Sequence, residues 1–163
     1  MDDRHRPTSP GSLRSPEDMT TPTHFEWTRK PWINPDFAIL GELQRQTVVE
    51  VGCGRGHNLA HLVAYHGATG IGVDHDAEKI TRARLAYSHL PSIRFILADA
   101  VDYLASTKQE SIDICLSIFG AFSFADPLSL LTVASRAIRP GGLLAMTLRV
   151  DDHHDSVIVL HRR

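Results

Sequence analysis

From residue 47 onward, apolar positions along the chain switch repeatedly between two spacings. "TVVEV" is a β-branched run broken by a single acid, the pattern of a strand covered on both faces. "HNLAHLVAYH" then places Leu59, Leu62 and Val63 on one helical face, and Gly67 just beyond it is a stop signal. "TGIGVD" predicts a second strand. "AEKITRARLAYSHL" predicts a second helix, with Ile80, Ala83 and Tyr87 along one side and Asp76 placed as its cap. "SIRFILAD" reads as a third strand, "AVDYLAS" as a short helix and "SIDICLSIFG" as a fourth strand. "PLSLLTVASRAIR" is a helix with Asp126 as N-cap and Pro127 as first residue, and after "PGG" the run "GLLAMTLRV" is a fifth strand. Strands and helices joined by short connections predict βαβ units with right-handed crossovers. The expected fold is α/β, a Rossmann-like doubly wound, mostly parallel sheet with helices on both faces. A ligand of such a sheet lies beyond the carboxyl ends of the strands, where strand order reverses.

The pattern is absent from residues 1–23. "RPTSPGSLRSPEDMTTPT" has too little apolar surface to offset the entropy of ordering, so a disordered tail is expected there and a folded domain over 24–163. Between them, "FEWTRKPWINPDFAILGEL" supplies Phe25, Trp27, Trp32 and Phe37. Trp27 reads as part of a cover over the ligand crevice and Trp32 as a core anchor, with a short helix over residues 37–43.

Composition narrows the function. The chain has 163 residues, 42% hydrophobic and 22% charged, with a formal net charge of −2. That balance does not suit a protein built mainly to hold a nucleic-acid backbone. No apolar run approaches the ~20 residues of a membrane span, and the N-terminus lacks the apolar core of a secretory signal. Cys53 and Cys115 lie in apolar strand contexts at no metal-ligand spacing, and read as small fillers in a reducing, cytoplasmic protein.

The chemistry begins at "VVEVGCGRGHNL". Gly52, Gly54 and Gly56 follow the first strand and precede a helix, so backbone there can approach a ligand closely. A dinucleotide fingerprint places a third small residue where this chain has His57, and the spacing is G-x-G-x-G. Glu50, two residues before the first glycine, would repel a pyrophosphate and suits a ligand bearing positive charge. Asp74 ends the second strand, where a carboxylate can accept both hydroxyls of a ribose. Asp99 ends the third strand, ahead of Ala100, and could accept from the exocyclic amine of adenine.

These motifs resemble the class I S-adenosylmethionine-dependent methyltransferases, in particular small bacterial ones. "VVEVGCGRG", "GVDHDAEKI", "FILADA", "IDICLSIFGAFSFADP" and "LLTVASRAIRPGGLLAMTL" stand in the family's order and spacing. The resemblance implies S-adenosyl-L-methionine as cofactor and a small-molecule methyl acceptor, with no membrane and no evident nucleic acid as partner. It implies that Gly52, Cys53, Gly54 and Gly56 pass beside the cofactor's amino-acid half, with Glu50 nearby. Asp74 would hold the ribose and His75 flank the adenine. Asp99 and the Ala100 backbone would bond the adenine, and the run Ser117, Ile118, Phe119 and Gly120 would pass close to the methionine part and the methyl group. No catalytic base is named; His57, His75 and the acids are candidates only as residues of the crevice.

The family sheet usually closes with an antiparallel hairpin after its fifth strand. "RVDDHHDSVIVLHRR" offers one short strand, "SVIVL", so the expectation is a domain short at its C-terminus and lacking that hairpin. An apolar edge left uncovered would favour self-association. A cofactor-binding but catalytically impaired relative and an NAD(P)-binding oxidoreductase stand as alternatives. His57 and His61, four apart, could share a helical face and bind a metal, as could "DDHHD", but no third ligand is evident and no metal site is expected.

Overall fold

The computed structural model describes residues 20–30 and 37–163. Its elements are β1 (Thr47–Val51), α1 (His57–His66), β2 (Thr69–Asp74), α2 (Ala77–Ala86), β3 (Ile93–Leu97), α3 (Ala100–Ser106), β4 (Ile112–Ile118), α4 (Pro127–Ala137), β5 (Ile138–Arg149) and β6 (Asp155–His161). Short 3₁₀ turns lie at Phe37–Leu40 and Ala121–Ser123. Each strand and helix expected between residues 47 and 149 is present. The expected disordered tail, apart from its last residues, and Trp32 fall outside the described residues. No described helix is long and apolar enough to cross a membrane.

The sheet runs β3-β2-β1-β4-β5-β6. The first five strands are parallel, and β1 pairs with both β2 and β4, so the strand order reverses beside β1. The alternation of strand side chains divides the core in two. Val48, Ile114 and Leu116 face α1 and α2 with Leu59, Leu62 and Ile80. Val49, Val51 and Cys115 face α3 and α4 with Leu104, Leu130 and Ala134. The helix ends follow the sequence signals. Asp76 accepts from the amides of Glu78 and Lys79, Asp126 accepts from Ser129, and Gly67 closes α1 in a left-handed conformation.

Two features of the sheet depart from expectation. "PGG" does not separate α4 from the fifth strand. β5 begins at Ile138, directly after α4, and absorbs these residues as an irregularity in its pairing with β4. The C-terminus also supplies more than expected. β6 pairs antiparallel with β5 from Arg149↔Asp155 to Leu143↔His161, so the antiparallel hairpin expected to be missing is present and β5 is not an edge. The connecting "DDHHD" region is a turn, not a chelate. Asp151 Oδ1 accepts from the amides of His153 and His154, and this side chain-to-backbone bonding reverses the chain without a glycine.

Residues 20–30 cross the α1 face as a strap. Trp27, expected over the crevice, is instead buried in the core, edge-on to Phe25 with ring centroids 4.8 Å apart. The Glu26 amide and carbonyl bond the side-chain amide of Asn58 reciprocally, at 3.0 and 2.9 Å. The Pro22 carbonyl meets Nδ1 of the buried His61 at 3.0 Å.

Candidate functional site

Two adjoining cavities open at the reversal of strand order, sharing Cys53, Ile118 and Phe119 in their walls. The larger, about 560 Å³, runs along the ends of β1, β2, β3 and β4. It collects Gly52, Cys53, Gly54, Asp74, His75, Asp99, Ala100 and Ile118, most of the residues singled out from the sequence. The smaller, about 310 Å³, lies between the start of α1 and the strap and holds Glu50, Gly56, Arg29, Arg55 and His57.

The glycines divide the work of this loop. A Cβ on Gly52 would fall 2.6 Å from the Gly120 Cα and closer still to the Ala121 amide, so this glycine lets the loops after β1 and β4 touch. A Cβ on Gly56 would strike the Phe95 ring. Gly54 differs: its Cβ would meet nothing within 4 Å, and its left-handed backbone borders the open cavity.

Asp74 organises the loop. Its Oδ2 accepts from the Gly54 amide at 2.8 Å and its Oδ1 from the Asp76 amide at 2.9 Å. It is buried, while the neighbouring His75 side chain is exposed. Asp99 also has a structural duty. Its Oδ1 accepts from the Val101 and Asp102 amides and caps α3, which leaves Oδ2 out of both bonds. Ser117 is turned away from the crevice. Its hydroxyl is fully buried and accepts from the Phe122 amide, holding the turn after β4. Ile118, one residue on, takes the opposite face and lines both cavities.

Glu50 is the unusual group. Strand alternation turns it to the α1 side, where it is buried and its Oε2 has no hydrogen-bond partner. Burial raises its pKa to about 8; a backbone bond from Leu59 opposes the rise and the charge of Asp74 adds to it. In the unfolded chain the group ionises at its ordinary value of 4.5. Between the two values the folded state holds more protons than the unfolded, so stability falls as pH rises. Glu50→Gln removes this term. Its stability advantage over the wild type should grow from about pH 5 to about pH 8 in urea denaturation, as the linkage relation requires. A constant difference would show that the carboxyl is not held protonated.

Three more lining residues are Phe119, Phe124 and Arg29. Phe119 stands at φ 49 without being glycine, at the common wall of the cavities, a strained conformation of the kind found at ligand sites. Phe124, on the rim of the larger cavity, is 84% exposed. Arg29 reaches the smaller cavity from the strap. Phe119 belongs to the run after the fourth strand that the resemblance implies lies near the cofactor; nothing near Arg29 in sequence pointed to the cavity. The two histidines weighed as a candidate metal pair sit in different environments. His57 is exposed and His61 is buried beside His66, with 3.2 Å between their Nε2 atoms. No group of three or more His, Cys, Asp or Glu among the described residues is placed to hold a metal ion.

A doubly wound sheet with acids at three successive strand ends and a glycine loop at its reversal point defines an α/β protein that binds a nucleotide-like cofactor. A family model described as a methyltransferase domain matches residues 49–146, and the chain belongs to that family. It is 31% identical over 101 residues to a ubiquinone biosynthesis O-methyltransferase of Hydrogenovibrio crunogenus, covering 61% of this chain and 41% of that protein. It is 33% identical over 103 residues to a trans-aconitate 2-methyltransferase of Azoarcus, covering 63% and 38%. The geranyl diphosphate C-methyltransferase of Streptomyces coelicolor, solved with Mg²⁺, geranyl diphosphate and S-adenosyl-L-homocysteine, shares the fold. Its TM-score is 0.60 at 19% identity, over 67% of this chain and 40% of that one. The chain spans 29% to 42% of the length of such curated relatives.

Proposed function

We propose that the chain binds S-adenosyl-L-methionine across the two cavities and transfers its methyl group to a small-molecule acceptor. The observation that carries this reading is the buried, unpartnered Oε2 of Glu50 beside the glycine loop. A buried carboxylate is costly unless a cation compensates it, and the amino-acid end of this cofactor brings an ammonium. Gly54, with open space where a side chain would stand, fits the same ligand. A pyrophosphate would place negative charge against Glu50, which disfavours a nicotinamide dinucleotide.

The cofactor supplies, when bound, a methyl group already activated by its sulfonium. The chain's task is to bind and orient. Asp74, fixed by two backbone amides, keeps further lone pairs for ribose hydroxyls, and Asp99 Oδ2 and the Ala100 backbone are assigned to the adenine. His75 flanks that end. The apolar wall of Ile118, Phe119 and Ala121 shields the reacting face from water. A base is needed only where the acceptor's proton must leave early. The buried thiols of Cys53 and Cys115, both raised in pKa by burial, fit unreactive fillers in a reducing cytoplasm.

Differential scanning fluorimetry tests the cofactor class. S-adenosyl-L-homocysteine at about 100 times its dissociation constant should stabilise the chain by roughly 2.7 kcal/mol, while NADH at the same concentration leaves the melting temperature unchanged. Stabilisation by NADH alone would overturn the assignment.

A further inference from the structure

The family match ends at residue 146, yet one side chain beyond it connects to the smaller cavity. Asp155, the first residue of β6, has a side chain that is 5% exposed and grips Arg29 twice over. Its Oδ2 accepts from the Arg29 backbone amide at 3.0 Å. Its Oδ1 accepts from Nε at 2.9 Å and from Nη2 at 2.6 Å. Nη2 also donates to the Asp151 carbonyl at 2.9 Å, and the next residue, Lys30, donates to the His153 carbonyl at 2.9 Å. One carboxylate therefore fixes both the backbone and the head group of Arg29.

The head group so fixed lies 5.9 Å from the centroid of the Phe119 ring. Arg29, Phe119 and Glu50 are walls of the same small cavity. None of the bonds just named uses Nη1. The cavity thus sets an acid, Glu50, and a guanidinium, Arg29, around one space. That is the charge pattern an α-amino acid group complements, ammonium to carboxylate and carboxylate to guanidinium. A free arginine would sample many rotamers, and fixing it in advance removes that entropy from the cost of binding.

Building on the cofactor assignment above, we propose that Asp155 is a positioning residue for the amino-acid end of the cofactor, acting through Arg29. Asp155 touches no ligand itself. It sets the guanidinium that closes the smaller cavity, and it ties the strap to the last strand of the sheet. The larger cavity, which would take the adenosine half, does not depend on it.

This division gives a readout that a general loss of stability cannot imitate. 5′-Methylthioadenosine carries the adenosine and sulfur but lacks the amino-acid group, whereas S-adenosyl-L-homocysteine carries both. Titration calorimetry on the full chain should show Asp155→Asn weakening S-adenosyl-L-homocysteine about tenfold or more, the scale of a lost charge-assisted contact, with methylthioadenosine changed less than about twofold. Asp152→Asn, an exposed neighbour paired with Arg149, removes the same charge and should leave both affinities unchanged. Asp155→Glu, which keeps the charge, should recover part of the loss. An unchanged affinity for S-adenosyl-L-homocysteine in Asp155→Asn, or parallel losses for the two ligands, overturns the inference. A wild-type chain that binds neither ligand overturns the cofactor assignment together with it, and is told apart because the failure then precedes any substitution.

Discussion

Asp74→Ala should abolish useful cofactor binding while the chain stays folded. Two losses coincide in this variant. The ribose acceptor disappears, and the Gly54 and Asp76 amides that Asp74 holds at 2.8 and 2.9 Å lose their charged partner. The glycine loop is then no longer fixed where the backbone must meet the ligand. Losing charge-assisted bonds to the ligand costs roughly 2–4 kcal/mol, about 30- to 1,000-fold in affinity. Asp74→Asn should fall between, since one amide oxygen still accepts while its NH₂ opposes a backbone donor. Asp76→Ala is the comparison. Asp76 caps α2 through Glu78 and Lys79 and lines neither cavity, so its loss should cost about 1 kcal/mol of stability and leave affinity unchanged. Calorimetry with S-adenosyl-L-homocysteine on the three variants decides the matter, and equal affinities for Asp74→Ala and Asp76→Ala would remove Asp74 from the site.

Gly52→Ala should be far more damaging than Gly54→Ala, although both glycines have left-handed backbones. At Gly52 the new methyl would press on the backbone of Gly120 and Ala121, which cannot swing aside as a side chain can. The loops after β1 and β4 would be forced apart at the point where the strand order reverses. Overpacking of this kind costs about 1–3 kcal/mol and positive-φ strain about 1–3 more, a large share of the roughly 5–15 kcal/mol by which ordinary domains are stable. At Gly54 only the strain remains, because a Cβ meets nothing within 4 Å. Urea denaturation should show Gly52→Ala destabilised by about 2–6 kcal/mol and Gly54→Ala by only the strain, about 1–3 kcal/mol. Equal losses in the two variants would mean the two loops do not meet as described.

The features that were legible in the sequence are those written locally. The period of apolar residues gave β1 through β5 and their helices, and Asp76, Asp126 and Gly67 marked helix ends by chemistry that acts within three residues. The acids Glu50, Asp74 and Asp99 could be found because a strand end is itself a local signal. What escaped is non-local or shared. The Arg29–Asp155 bracket joins residues 126 positions apart, and neither side chain differs in its neighbourhood from any surface charge. Trp27 looked like a cover because an exposed ring and a buried one have the same composition around them. β6 was undervalued because its turn is built by the side chain of Asp151 in place of a glycine. Asp99 shows a shared residue: one oxygen caps α3, and only the other is left for a ligand.

The position of β1 at the middle of the sheet sets the order in which a nascent chain can become competent. Synthesis delivers β1, β2 and β3 first, and these pair outward in one direction. The other flank of β1 has no neighbour until β4 is made, because Val48 pairs with Ile114 across the whole intervening βαβ unit. During that interval a central strand, destined for burial, is temporarily a border. Such borders invite pairing with another chain, and distant parallel pairings close slowly. The central strand β1 is therefore the most vulnerable one on the ribosome, and β4 is the segment whose arrival ends the exposure.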